Sequence, residues 1–169
     1  MSPVQQPYRA LAVTASNRAA DGVYEDTCGP IIIEGLAAMG FETEGPSVVP
    51  DGEPVAEVLD AAVAAGYDVV LTTGGTGISP TDATPEMTRR VLDYEIPGIA
   101  EAIRAEGSGK VPTAALSRGI AGVAGGRTLI VNLPGSSGGV RDGLAVLGRM
   151  LEHAVDQIHG GDHPRGNPN

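Results

Sequence analysis

Three short strand segments, the first and third aliphatic, constrain the fold of this chain most, because each leads through a polar connector into a helical segment. Ala10 to Val13 passes through Thr14-Ala-Ser16-Asn17 and a polar, glycine-containing loop to Ile32, Leu36 and Met39, a stripe that stops at Gly40. A second strand, from about Glu42 to Val49, turns through Pro50-Asp51-Gly-Glu-Pro54 into Val55, Leu59 and Ala62, ending at Gly66. Asp68 to Thr72 is the third, and Pro85 opens a long helical region interrupted near Pro97-Gly98. Such alternation predicts a mostly parallel sheet covered on both faces, a three-layer α/β sandwich. Ile120 to Ala124 and Thr128 to Asn132 flank Gly125-Gly126, a hairpin signal that adds one antiparallel strand. Val140, Leu144, Leu147, Leu151, Ala154 and Ile158 keep helical spacing through what reads as one last helix.

At 169 residues the chain is long enough for one substantial core and too short for two. We expect a leader over 1–8, one domain over 9–159 and a flexible tail over 160–169. With one Phe, four Tyr and no Trp, the core must be aliphatic. The net charge is −10 and Lys110 is the only lysine, which argues against nucleic acid or an anionic membrane as partner. A small phosphorylated ligand is not excluded, because it senses local N–H groups and a few cations rather than net charge. Cys28 is the only cysteine, and no apolar run is long enough to span a bilayer, so the cytoplasm is the expected compartment.

In parallel sheets ligands collect at the carboxyl ends of the strands. Four polar connectors fall there: Ser16 to Thr27, Pro50 to Pro54, Thr72 to Pro85, and Asn132 to Gly139. We expect one site made by all four. The richest is Thr72-Thr-Gly74-Gly75-Thr76-Gly77-Ile-Ser-Pro-Thr-Asp82, whose hydroxyls and free backbone N–H groups suit a phosphate. It is no Walker A loop, since it lacks the lysine and the spacing, and Pro80 stands where a dinucleotide fingerprint needs its third glycine. Thr84 reads as the N-cap of the following helix, which leaves Asp82 without a capping role and favours a functional one. For Asp51, by contrast, an ordinary N-cap leads on sequence alone. Thr27 or Asp26 is the expected cap of the first helix. Ser136 reads equally as a helix cap and as part of an anion or ring site with Asn132, Pro134 and Gly135. Ser117-Arg118 and Ser16-Asn-Arg18 supply the nearby cations. His159, Asp162 and His163 lie in the tail and are set aside as metal ligands, as is Cys28 as a nucleophile, because every histidine lies at 153 or beyond.

Taken in order, Tyr24-Glu-Asp-Thr-Cys-Gly-Pro30, Pro50-Asp51, Leu71-Thr-Thr-Gly-Gly-Thr-Gly77 with Asp82 and Thr84-Pro85, Leu116-Ser-Arg118 and Asn132-Leu-Pro-Gly135 resemble a known family. It is the molybdenum cofactor biosynthesis family of Mog, MoaB, the gephyrin G domain and molybdopterin adenylyltransferases. The resemblance runs from Leu11 to about Ile158. It implies a mixed-sheet α/β fold, usually a homotrimer, and Mg²⁺-dependent transfer of AMP from ATP to the terminal phosphate of molybdopterin. Asp51 and Asp82 match the catalytic acid pair, which would also hold Mg²⁺. Substrate contacts map to Ser16, Thr27, Gly74, Gly75, Thr76, Gly77, Ser117, Arg118, Asn132, Pro134, Gly135 and Ser136. The molybdate-insertion enzyme of the same pathway is a further implied partner. Asn17 stands where many relatives have Asp, and Cys28 where many have Ser. The alternative is a module of the MoaB type that binds molybdopterin without chemistry, and the acid pair favours the enzyme.

Overall fold

The computed structural model describes residues 6–161, so the tail positions from 162 onward lie outside it. Its elements run β1 (Arg9–Ala15), α1 (Asn17–Ala20), α2 (Cys28–Ala38), β2 (Glu42–Val49), α3 (Glu53–Ala64), β3 (Val69–Thr73) and α4 (Thr84–Val91). They continue with β4 (Tyr94–Glu95), α5 (Pro97–Ser108), a 3-10 turn over Pro112–Leu116, β5 (Ala121–Ala124), β6 (Thr128–Leu133), α6 (Ser137–Leu147) and α7 (Leu151–Ile158). The strands form one sheet in the order β2-β1-β3-β6-β5-β4. β2, β1, β3 and β6 are parallel, and β5 runs antiparallel to both of its neighbours.

Period-two alternation along the central strands divides the core between the two faces. Ala10, Ala12, Val69, Leu71, Leu129, Val131 and Leu133 join Ile32 and Leu36 of α2, Ile99 and Ile103 of α5, and Leu144, Leu147 and Leu151 of the last two helices. Leu11, Val13, Val70 and Ile130 turn to the opposite face and meet Val55, Leu59 and Ala62 of α3. Every residue of β3 and β6 is buried, which is why Val69–Leu71 and Leu129–Val131 read as unbroken apolar runs rather than alternating ones. Each buried Leu or Ile contributes about 1.5–3 kcal/mol, so these two layers supply most of the driving force. Among the described residues no helix is long and apolar enough to cross a membrane.

Several details differ from the sequence reading. The connector after β1 contains the short helix α1, started by Ser16, whose Oγ accepts from Ala19 N at 3.2 Å. β4 is an edge strand of two residues where only helix was expected, held by Asp93 N to Val123 O and Ile96 N to Ala121 O. The last helix is two, broken between Leu147 and Leu151. Those residues stand four apart and both face the core, so the apolar spacing runs straight across the break. Pairing of Ala124 with Thr128 leaves a three-residue hairpin loop, Gly125 to Arg127, not a two-residue one. Asp26 rather than Thr27 satisfies the start of α2, its Oδ1 accepting from Gly29 N at 3.1 Å.

Candidate active site

Because β1, β2, β3 and β6 are parallel, the connectors that follow them leave the sheet along the same rim. Backbone packing draws three of them together. Gly74 has φ +90°, and a Cβ there would overlap the carbonyl oxygen of Ala15 at the end of β1. On its other side a Cβ at Gly135 would come within 3.3 Å of Gly74 Cα. Thr73 Oγ1 donates to Pro134 O at 2.7 Å and ties the β3 connector to the β6 connector. Only glycine fits at 74, both for its positive φ and for the contact.

Two cavities flank this glycine wall. The first, about 340 Å³, is lined from all four connectors: Ser16 and Thr27 after β1, Asp51 after β2, Gly74, Gly75 and Asp82 after β3, and Gly135 after β6. The second, about 630 Å³, lies across the wall and takes Thr76, Gly77, Ser117, Pro134 and Ser136, sharing Gly75, Asp82 and Gly135 with the first. Ile103, Val111 and Leu116 make much of its surface apolar, while Arg104 and Lys110 bring cations that the sequence reading had not singled out. Both are already engaged: Arg104 Nη1 donates to Gly119 O at 2.8 Å, and Lys110 Nζ lies 2.6 Å from Asp142 Oδ1.

Asp51 is not a helix cap. Gly52 holds the N-cap position of α3 and no side chain satisfies it, while Asp51 Oδ1 is buried with no hydrogen-bond partner. Burial, and then the neighbouring charge of Asp82, push the Asp51 carboxyl above its usual range. Asp82 Oδ2 accepts from Ser79 N at 3.0 Å, and Asp82 N donates back to Ser79 O at the same distance, so the carboxylate stands on a closed turn. A carboxylate whose ionisation is penalised by burial and by a second acid in the same cavity suits a divalent cation better than a proton relay. Among the described residues no group of three or more His, Cys, Asp or Glu could hold a metal. Oxygens from water or a ligand would therefore have to complete the coordination, as Mg²⁺ commonly requires.

Arg118 and Asn132 line neither cavity. Arg118 instead braces the β3 connector: Nε donates to Gly77 O at 2.8 Å, Nη2 to Asp82 O at 3.0 Å, and Nη1 pairs with Glu86. That pairing holds the Glu86 carboxyl below its usual range. Asn132 is spent between the sheet and α4, Nδ2 donating to Thr72 Oγ1 at 2.9 Å and Thr88 Oγ1 at 3.0 Å while Oδ1 accepts from Ile120 N at 3.2 Å. Ser136 caps α6, accepting from Gly139 N at 3.1 Å, and borders the second cavity as well. Thr84 is no cap either: Ala83 holds the N-cap position, and Thr84 Oγ1 is buried without a partner.

Residues 11–153 match the family described as a probable molybdopterin binding domain. The chain is 60% identical to the molybdopterin biosynthesis Mog protein of Mycobacterium ulcerans, whose structure superposes with a TM-score of 0.85 over 89% of this chain and 99% of that one. The molybdopterin biosynthesis enzyme MoaB of Thermus thermophilus is 45% identical, with a TM-score of 0.84 over 90% and 97% of the two chains. The molybdopterin adenylyltransferase of Helicobacter pylori is 37% identical over 88% of this chain and 86% of that protein. Against the bifunctional molybdenum cofactor biosynthesis protein of Synechococcus elongatus the chain spans about half the relative's length, 48%. The family match, the sequence identities and the structural superpositions agree, and the chain belongs to the molybdopterin-binding domain family of molybdenum cofactor biosynthesis.

Proposed function

We propose that the protein is a molybdopterin adenylyltransferase, moving AMP from ATP to the terminal phosphate of molybdopterin with Mg²⁺. The observation that carries this reading is the buried, unpartnered Oδ1 of Asp51, which lines the same cavity as Asp82, next to a second, more apolar cavity that shares Gly75, Asp82 and Gly135 with it. In this reading the triphosphate lies in the first cavity beside the acid pair, and the pterin ring lies in the second, among Ile103, Val111 and Leu116. Asp51 and Asp82 would hold the cation, which when bound neutralises charge on the phosphates.

An oxygen of the pterin phosphate forms the new bond to the α-phosphorus of ATP. The bond from that phosphorus to the α,β-bridging oxygen breaks, and pyrophosphate leaves with the electron pair. The attacking phosphate is already an anion near neutral pH, so no side chain has to remove a proton. The chief obstacle is repulsion between two polyanions brought into line, and positioning lowers it. Gly74, Gly75 and Gly77 let phosphate oxygens approach backbone N–H groups without a Cβ in the way. The closed turn at Ser79–Asp82, braced by Arg118, keeps Asp82 in place while the substrates meet.

The test is incubation with molybdopterin, ATP and Mg²⁺, followed by assay of adenylylated pterin and pyrophosphate. Stoichiometric formation of both is expected. Tight pterin binding with neither product would replace this reading with that of a carrier.

A further inference from the structure

Thr84 is the first residue of α4 and is fully buried, yet its hydroxyl has no partner. Ordinary structural roles do not account for it. A threonine at the first helical position has no preceding turn whose carbonyl its hydroxyl can reach, and the capping position belongs to Ala83. Valine would fill the same volume without burying an unpaired hydroxyl, so a purely structural site has no use for the oxygen.

What surrounds it is informative. A Cβ built on Gly75 would overlap Thr84 Oγ1 and lie 2.6 Å from Asp51 Oδ1, the other buried side-chain oxygen without a partner among the described residues. Gly75 has φ +66°, and its carbonyl accepts from Thr84 N at 3.1 Å, so loop and helix are locked together at this point. Two orphaned oxygens, one anionic and one neutral, thus share the notch left by a missing side chain, beside the first cavity. Carboxylate plus hydroxyl is an oxygen set that suits Mg²⁺.

We infer that Thr84 is a further member of the cation site, its hydroxyl oxygen and Asp51 Oδ1 together taking the inner side of a hydrated divalent cation. The inference rests on the Mg²⁺-dependent reading above and adds a residue to it. It also explains why glycine stands at 75: any Cβ there would fill the notch.

The test titrates Mn²⁺, followed by electron paramagnetic resonance, into the full chain with α,β-methylene-ATP, an analogue that cannot transfer AMP. The wild type is compared with Thr84→Val, Thr84→Ser and Asp51→Asn. Thr84→Val should weaken Mn²⁺ binding about tenfold, and Thr84→Ser should restore it. Without metal, Thr84→Val should unfold at the same temperature as wild type or above it. If Thr84→Val binds Mn²⁺ like wild type while Asp51→Asn does not, the role of Thr84 falls and the Mg²⁺ reading stands. If wild type itself binds no Mn²⁺, both fall. A marked loss of stability in metal-free Thr84→Val would show that the hydroxyl is structurally bonded, and would overturn the inference.

Discussion

Asp51 carries a stability cost that a substitution can expose. Burial and then Asp82 raise its carboxyl above the ordinary value of 3.8, so the folded state holds the proton more tightly than the unfolded chain. The stabilisation from that proton is complete below the ordinary value and is lost as pH rises through the raised one. At neutral pH the ionised group is a liability. In metal-free buffer Asp51→Asn should therefore raise the unfolding temperature at pH 7 by about 2 °C or more. The gain should vanish near pH 3, roughly where both forms are neutral. A wild type that is the more stable of the two at neutral pH would show that Asp51 is paired. Asp82 has its own hydrogen bond from Ser79 N, so its loss should register in catalysis. Asp82→Asn should lower turnover by about tenfold or more while pterin affinity, measured by calorimetry, stays nearly intact. Equal loss of both would remove its assigned role.

The connectors act as elements in their own right, and Gly74 is their keystone. Gly74→Ala forces a Cβ onto the Ala15 carbonyl at a φ that disfavours side chains, and should cost about 1–3 kcal/mol in denaturant unfolding. An unchanged midpoint would mean that the three connectors separate easily. The glycine-rich connector was legible in the sequence, since Gly74-Gly75 follows an apolar run closed by Thr72 and Thr73, and similar punctuation revealed β1, β2, β3 and the hairpin. The division into two cavities was not. What escaped was structure that neighbours impose. β4 exists because Asp93 and Ile96 reach the carbonyls of β5, which no local pattern records. The break between α6 and α7 preserves apolar spacing and is silent to periodicity. The position of Asp51 could be read, but the freedom of its side chain could not, since capping by Asp51 and by Gly52 differs by one residue. Asn132 looked like a ligand contact because it ends a strand at the functional rim, yet its side chain turns inward to Thr72 and Thr88.

At the scale of the whole molecule, the two ends of the sheet have separate tasks. At the amino ends of the central strands Asp68 is buried, accepting from Arg9 N at 2.8 Å and pairing with Arg127 at 3.3 Å and His159 at 2.9 Å. It fastens His159, just after α7, to the start of β3, at the rim opposite the connectors. Asp68→Asn should lower the unfolding temperature and leave kcat/KM unchanged, measured by calorimetry and by pyrophosphate release. A fall in kcat/KM with the fold intact would show that the two rims communicate.

Gly74, Gly75 and Gly135 stand where the two cavities meet, with Asp82 bordering both, and this limits how such a protein can diversify. No side-chain exchange in the outer pockets can thin a boundary whose glycines have no side chain to trim. Descendants of this scaffold would be free to retune the outer pockets for new heterocycles or new nucleotides. The span between donor and acceptor would meanwhile pass unaltered from one to the next.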